Sequence, residues 1–141
     1  MKLTCPASAG DKITVEFREW ADYAQQGVID SLHKGPAAIY VKAVSDMASD
    51  SAAGDGWFKI WDEGYDEKAG KWATEKLIDS KGLLSVKVPS GLPTGYYLWR
   101  TELLTFQNVT DNYVDPQFYI GCAQLFIQGT EIGRASCRER V

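Results

Sequence analysis

Glycine, proline, asparagine and aspartate interrupt this chain at short intervals, and β-forming runs of five to ten residues lie between them. That rhythm limits the fold before any other feature does. Lys12–Arg18 alternates, with Ile13, Val15 and Phe17 on one face. Ala38–Val44 is more continuously apolar, the pattern of a central strand. Trp57–Trp61 is an aromatic run opened by Gly54-Asp55-Gly56. Leu84–Val88 alternates and stops at Pro89. Tyr96–Leu104 follows the turn Leu92-Pro93-Thr94-Gly95, and Phe118–Ile127 closes the series. Helical signal is confined to single turns at Thr74–Ile78 and Tyr23–Leu32, and Ser45–Asp55 reads as a mobile polar loop. The pattern predicts an all-β antiparallel sandwich, and 141 residues make one domain.

The net charge of -4 argues against nucleic acid or an anionic membrane as partner, because both select basic faces. A neutral polymer is compatible with it. No apolar run approaches the 18 or so residues that span a bilayer. Met1–Pro6 holds no apolar stretch of signal-peptide length, which by itself reads as cytosolic. Two features point the other way. Cys5 and Cys122 sit in separate apolar surroundings, and Asn108-Val109-Thr110 is an N-glycosylation acceptor in a loop. Together they favour a secreted parent that has lost its N-terminus. From Glu131 the chain turns polar and aperiodic, and it resembles the translation of a sequencing adapter. On that reading the domain is residues 1–130, residues 131–141 are a non-native tail, and Cys137 is unpaired.

Two segments stand out chemically. Ser31-Leu32-His33-Lys34-Gly35-Pro36 carries the only histidine, and Gly35-Pro36 behind it fixes the chain where it enters a strand. A lone histidine is more often structural than a ligand, but this rigid setting suits a ligand. Gln117-Phe118-Tyr119 places an amide and a phenol on the same strand face. The plain alternatives are a surface amide and a core aromatic with its hydroxyl at the rim. Asp62, Glu63, Asp66 and Glu67 invite comparison with a glycosidase pair, but as a cluster beside a turn they read as solvated. Most of Trp57, Trp61, Trp72, Tyr96, Tyr97 and Trp99 fall at strand spacing and belong to the core.

These segments resemble the copper-site segments of the fungal lytic polysaccharide monooxygenases of auxiliary activity family 9, formerly glycoside hydrolase family 61. Further matches are Gly56–Ile60, Trp72-Ala73-Thr74, Leu77-Ile78, Pro93–Glu102 and Cys122–Leu125. The resemblance implies an immunoglobulin/fibronectin-like sandwich, incomplete here, and a monomeric secreted enzyme. That enzyme would hold one type-2 copper, take electrons from an external donor and cleave cellulose or a related β-1,4-glucan at C1 or C4. It assigns His33 as a copper ligand, Tyr119 as the axial group and Gln117 as its hydrogen-bonding support.

The pattern is broken in several places, among them the C-terminal loop with the family's substrate-facing tyrosines, which the adapter-like tail replaces. The family's N-terminal histidine ligand has no counterpart, since the chain opens with Met1 and holds no second histidine. The first strand is missing before Cys5, so its partner strand should show an unpaired edge. Thr101 stands where many members carry a histidine between the residues matched by Arg100 and Glu102, and it is expected near Gln117. One imidazole holds copper poorly, so this fragment should be a weak copper protein without activity. A family member that never binds copper, or a non-catalytic carbohydrate-binding sandwich, fits the same residues. Cys5 and Cys122 are expected to form a disulfide, worth about 4–5 kcal/mol in the chain-entropy account.

Overall fold

The structure, a computed structural model, describes residues 4–129. In chain order the elements are β1 (Cys5–Ser8), β2 (Lys12–Glu16), β3 (Ala37–Val44), β4 (Trp57–Glu63), β5 (Tyr65–Asp66), β6 (Lys71–Trp72), α1 (Ala73–Asp79), β7 (Leu83–Lys87), β8 (Gly95–Thr105), β9 (Val109–Thr110), β10 (Tyr113–Val114) and β11 (Gln117–Gln128). Five strands form one sheet in the order β1-β11-β8-β3-β4, and β2 with β7 forms the opposing layer. This is the sandwich that the alternation predicts. The six long runs read from the sequence correspond to β2, β3, β4, β7, β8 and β11.

The core lies on every second residue of the central strands. Along β8, Tyr97, Trp99, Thr101, Leu103 and Thr105 are buried and their neighbours are half-exposed or exposed. Ile39 and Val41 of β3, with Leu125 and Ile127 of β11, join Tyr97 and Trp99, and Ile13, Leu84 and Val86 cover them from the second layer. A smaller cluster of Ala37, Ala73, Leu77 and Leu103 seats α1 against the sheet. Trp61 packs on both clusters, and Tyr97 donates its hydroxyl to the Pro93 carbonyl at 2.7 Å.

Three local features go beyond the expectation. β1 runs parallel to β11, Cys5 opposite Leu125, within an otherwise antiparallel sheet. The helical signal at Tyr23–Leu32 yields turns, because Asp22 and Asp30 accept from the backbone N–H two residues on and close local rings instead. Ser45–Asp55 is held at its start by Asp50, whose carboxylate accepts from Ser45 N and Asp46 N.

The expected disulfide is absent: Cys5 and Cys122 are both free and exposed. Register explains it. Cys5 pairs with Leu125, three positions further along β11 than Cys122. Three strand residues span roughly 10 Å, beyond the ~7 Å Cα limit of a bridge. Cys137 lies outside the described residues, as does the rest of the tail from Glu131.

β1 covers only Leu125–Gln128 of β11. Among the described residues, no strand pairs with the outer edge of Gln117–Gln124. That stretch carries no charge and no proline, and Phe118 and Ile120 are more than half exposed. An uncharged open edge is a template for self-association. Ile120→Lys is expected to reduce the protein's concentration-dependent light scattering; scattering equal to that of the unsubstituted protein would show that this edge is not the sticky surface.

Candidate metal centre at the His33 loop

His33 sits on a tight loop that leads into β3. Asp30 organises it: its carboxylate accepts from Leu32 N at 2.8 Å, its carbonyl from His33 N at 3.0 Å. The loop is then clamped from two sides. Gly35 N donates to Thr74 Oγ1 at 3.0 Å, and Thr74 N returns a bond to the Gly35 carbonyl at 3.2 Å. On the other side Phe106 N donates to Lys34 O and Leu104 N to Pro36 O, at 3.1 and 3.0 Å. The space between these partners admits only glycine. A Cβ on Gly35 would stand 1.8 Å from the Leu104 carbonyl oxygen.

Lys34 adds a charge contact, its ammonium lying 3.1 Å from Glu75. Glu75 also accepts from Trp72 N at 2.9 Å, which satisfies a free donor at the start of α1. That backbone N–H, and then Lys34, hold the Glu75 carboxyl below its ordinary range. The carboxylate form is therefore favoured in the fold. Its contribution is complete above the ordinary value of 4.5 and is lost as pH falls through the lower folded value.

β11 brings the second half of the site. The His33 and Tyr119 rings meet edge to face, 5.6 Å between centroids and 70° between planes. The Tyr119 hydroxyl donates to Gln117 Oε1 at 3.1 Å. His33 Nδ1 is buried without a hydrogen-bond partner, the Asp30 carboxylate standing 3.8 Å off. Both rings border an open groove of about 580 Å³ that continues past Phe17, Arg18 and Val28.

His33, Tyr119 and Gln117, distant in sequence, therefore lie together. Thr101 does not join them. Gly121 is its partner across β11, while Gln117 pairs with Thr105, four residues or roughly 13 Å along the strand. The side chain that does reach Gln117 is Gln107, whose Nε2 donates to Gln117 Oε1 at 2.7 Å. Its sequence context, a short polar turn, does not mark it; only the β8–β11 register, which sets Thr105 opposite Gln117, puts it there. Asn108 is half-buried on the turn between β8 and β9.

Asp62, Glu63 and Asp66 of the acidic cluster are engaged in ion pairs. Lys76 bridges Glu63 and Asp66, and Lys59 takes Asp62. No group of three or more His, Cys, Asp or Glu side chains converges on a metal position among the described residues.

Two outcomes follow from this geometry. Gly35→Ala should cost about 1–3 kcal/mol in denaturant unfolding, as overpacking does; Gly121→Ala, with nothing within 4 Å of its Cβ, should be far milder. Equal losses would mean the clamp is not tight. On acidification from pH 7 to 3, Glu75→Gln should flatten the fall in Tm relative to the unsubstituted chain, and parallel curves would remove Glu75 from the account.

The family model for Auxiliary Activity family 9 (formerly GH61) matches residues 1–138. The chain is 60% identical over 126 residues to AA9 family lytic polysaccharide monooxygenase C of Aspergillus tamarii, covering 89% of this chain and 34% of that protein. It is 51% identical over 131 residues to AA9 family lytic polysaccharide monooxygenase H of Botryotinia fuckeliana, covering 93% and 30%. Among solved structures it resembles CvAA9A with a TM-score of 0.79 at 33% identity, over 92% of this chain and 58% of that one. Cel61B of Hypocrea jecorina, a glycoside hydrolase family 61 member, gives 0.77 at 26% identity, over 91% and 53%. The chain thus spans about a third of these curated relatives and somewhat over half of these solved chains. With the sandwich, the His33 loop and the β11 segment in place, the chain belongs to the AA9 family of lytic polysaccharide monooxygenases.

Proposed function

We propose that the protein to which this chain belongs is a secreted, copper-dependent oxidoreductase that cleaves cellulose or a related β-1,4-glucan, at C1 or C4, with electrons from an external donor. The observation that carries this reading is the edge contact of His33 with Tyr119, whose hydroxyl is tied to Gln117. His33 would hold the copper, and Tyr119 would lie beside it. Gln117 fixes the phenol. We further assign residues 1–130 to the catalytic domain and 131–141 to a non-native tail, although the family match runs past residue 130. Asn108 is the proposed glycosylation site, and the protein is taken to act as a monomer.

The residues present suit one side of a copper centre. A buried, unpartnered imidazole nitrogen and an adjacent phenol are of the right chemistry. They do not complete it: the described residues offer a single imidazole and no cluster of three ionisable ligands. Bound copper would supply the one-electron and oxygen chemistry. The chain's own part is steric and orienting. The Gly35 clamp holds the imidazole against Tyr119, and Gln117 Oε1 accepts a hydrogen bond from the phenol O–H, so the ring edge faces His33.

Calorimetry with Cu(II) and analysis of products from cellulose plus a reductant test this reading. The present chain should bind copper weakly and release no oxidised oligosaccharides. A longer protein with an N-terminal histidine should bind tightly and release them, and His33→Ala should remove both properties. Tight binding that survives His33→Ala would contradict the ligand assignment. Cellulose binding with neither copper dependence nor oxidised products would favour a carbohydrate-binding role.

A further inference from the structure

Gln107 lies just beyond the end of β8, half-buried, on the turn closed by Val109 N donating to the Phe106 carbonyl at 2.9 Å. Its Nε2 donates to Gln117 Oε1 at 2.7 Å, the same oxygen that accepts the Tyr119 hydroxyl at 3.1 Å. Its own Oε1 is buried and has no hydrogen-bond partner. An amide that leaves one buried oxygen unpaired is a poor choice for folding alone, where an apolar side chain would serve better. Its neighbour Phe106 makes the backbone bond to Lys34 that clamps the His33 loop.

We infer that Gln107 is a positioning residue for this site: by donating to Gln117 it fixes the amide with oxygen toward Tyr119, and so sets Tyr119 as a donor with its ring edge against His33. The logic is one of polarity. Gln117 Oε1 accepts two hydrogen bonds at once; the Gln107 amide N–H can only donate and so needs an oxygen there, and the Tyr119 hydroxyl, able to donate or accept, then donates. If residue 107 could only accept, the Gln117 amide would turn to offer N–H, and the Tyr119 hydroxyl would lose its acceptor. The meaning of this for catalysis rests on the proposed copper chemistry. The hydrogen-bond relay itself does not.

The test therefore uses the metal-free chain. With 3-fluorotyrosine incorporated, fluorine NMR reports the seven tyrosines, and Tyr119→Phe identifies the Tyr119 resonance. Gln107→Leu and the near-isosteric Gln107→Glu should each split or broaden that resonance. The native state of Tyr119 should fall about fivefold against displaced states, the weight of one ordinary net hydrogen bond. Gln117→Glu keeps an acceptor at the same place and should retain a single Tyr119 state, though at a new shift. An undivided, unchanged Tyr119 resonance in both Gln107 variants would overturn the inference. So would splitting shared by all seven tyrosines, which marks general loosening of the fold. Failure of copper binding leaves these outcomes untouched, so the two proposals fail separately.

Discussion

The register of β8 is the constraint on which the site depends. β8 is the middle strand, hydrogen-bonded to β3 on one side and β11 on the other. Leu103 therefore has Ala37 as one cross-strand partner and Tyr119 as the other. His33 stands four residues before Ala37, and this row brings it beside Tyr119 although 86 positions separate them in the chain. A slip of one residue would turn every side chain of β8 to the opposite face. Tyr97, Trp99 and Leu103 would then leave the core, so the burial that stabilises the sandwich also protects the site's geometry.

A second constraint acts on the loop. Three backbone hydrogen bonds and one to the Thr74 hydroxyl place Gly35 between α1 and the end of β8, so Thr74 is the one side chain the clamp needs. Thr74 is fully buried, so its hydroxyl can serve Gly35 without competition from water. The short helix thus contributes more than its 7 residues suggest. It anchors the loop through Thr74 and through the Glu75–Lys34 contact, and is itself held by Leu77 against Leu103.

Much of the fold was legible because alternation at period two is a direct record of burial. β2 and β7 announce themselves this way; β8 is marked by the turn before it, since its less buried face also carries Leu98 and Leu104. The closeness of His33, Tyr119 and Gln117 came through resemblance, since no periodicity links residue 33 to residue 119. What sequence did not disclose is register between strands. Thr101 was expected beside Gln117 and lies opposite Gly121, while Gln107, unremarkable in a polar turn, makes the contact instead. Register also separates Cys5 from Cys122, which are not bridged. The two-residue strands β5, β6, β9 and β10 are too short to show a period at all.

The claim that the β8 register sets His33 against Tyr119 is open to a direct check. The chain has one histidine, so its imidazole protons are unambiguous in a nuclear Overhauser spectrum of the protein in solution. Rings whose centroids are 5.6 Å apart in an edge contact should give cross-peaks between the His33 and Tyr119 ring protons. Their presence is the predicted result. A spectrum in which the His33 protons show no cross-peak to Tyr119, while Leu103 and Tyr119 do, would show that β8 carries its register but does not bring the loop to the site, and would contradict the account.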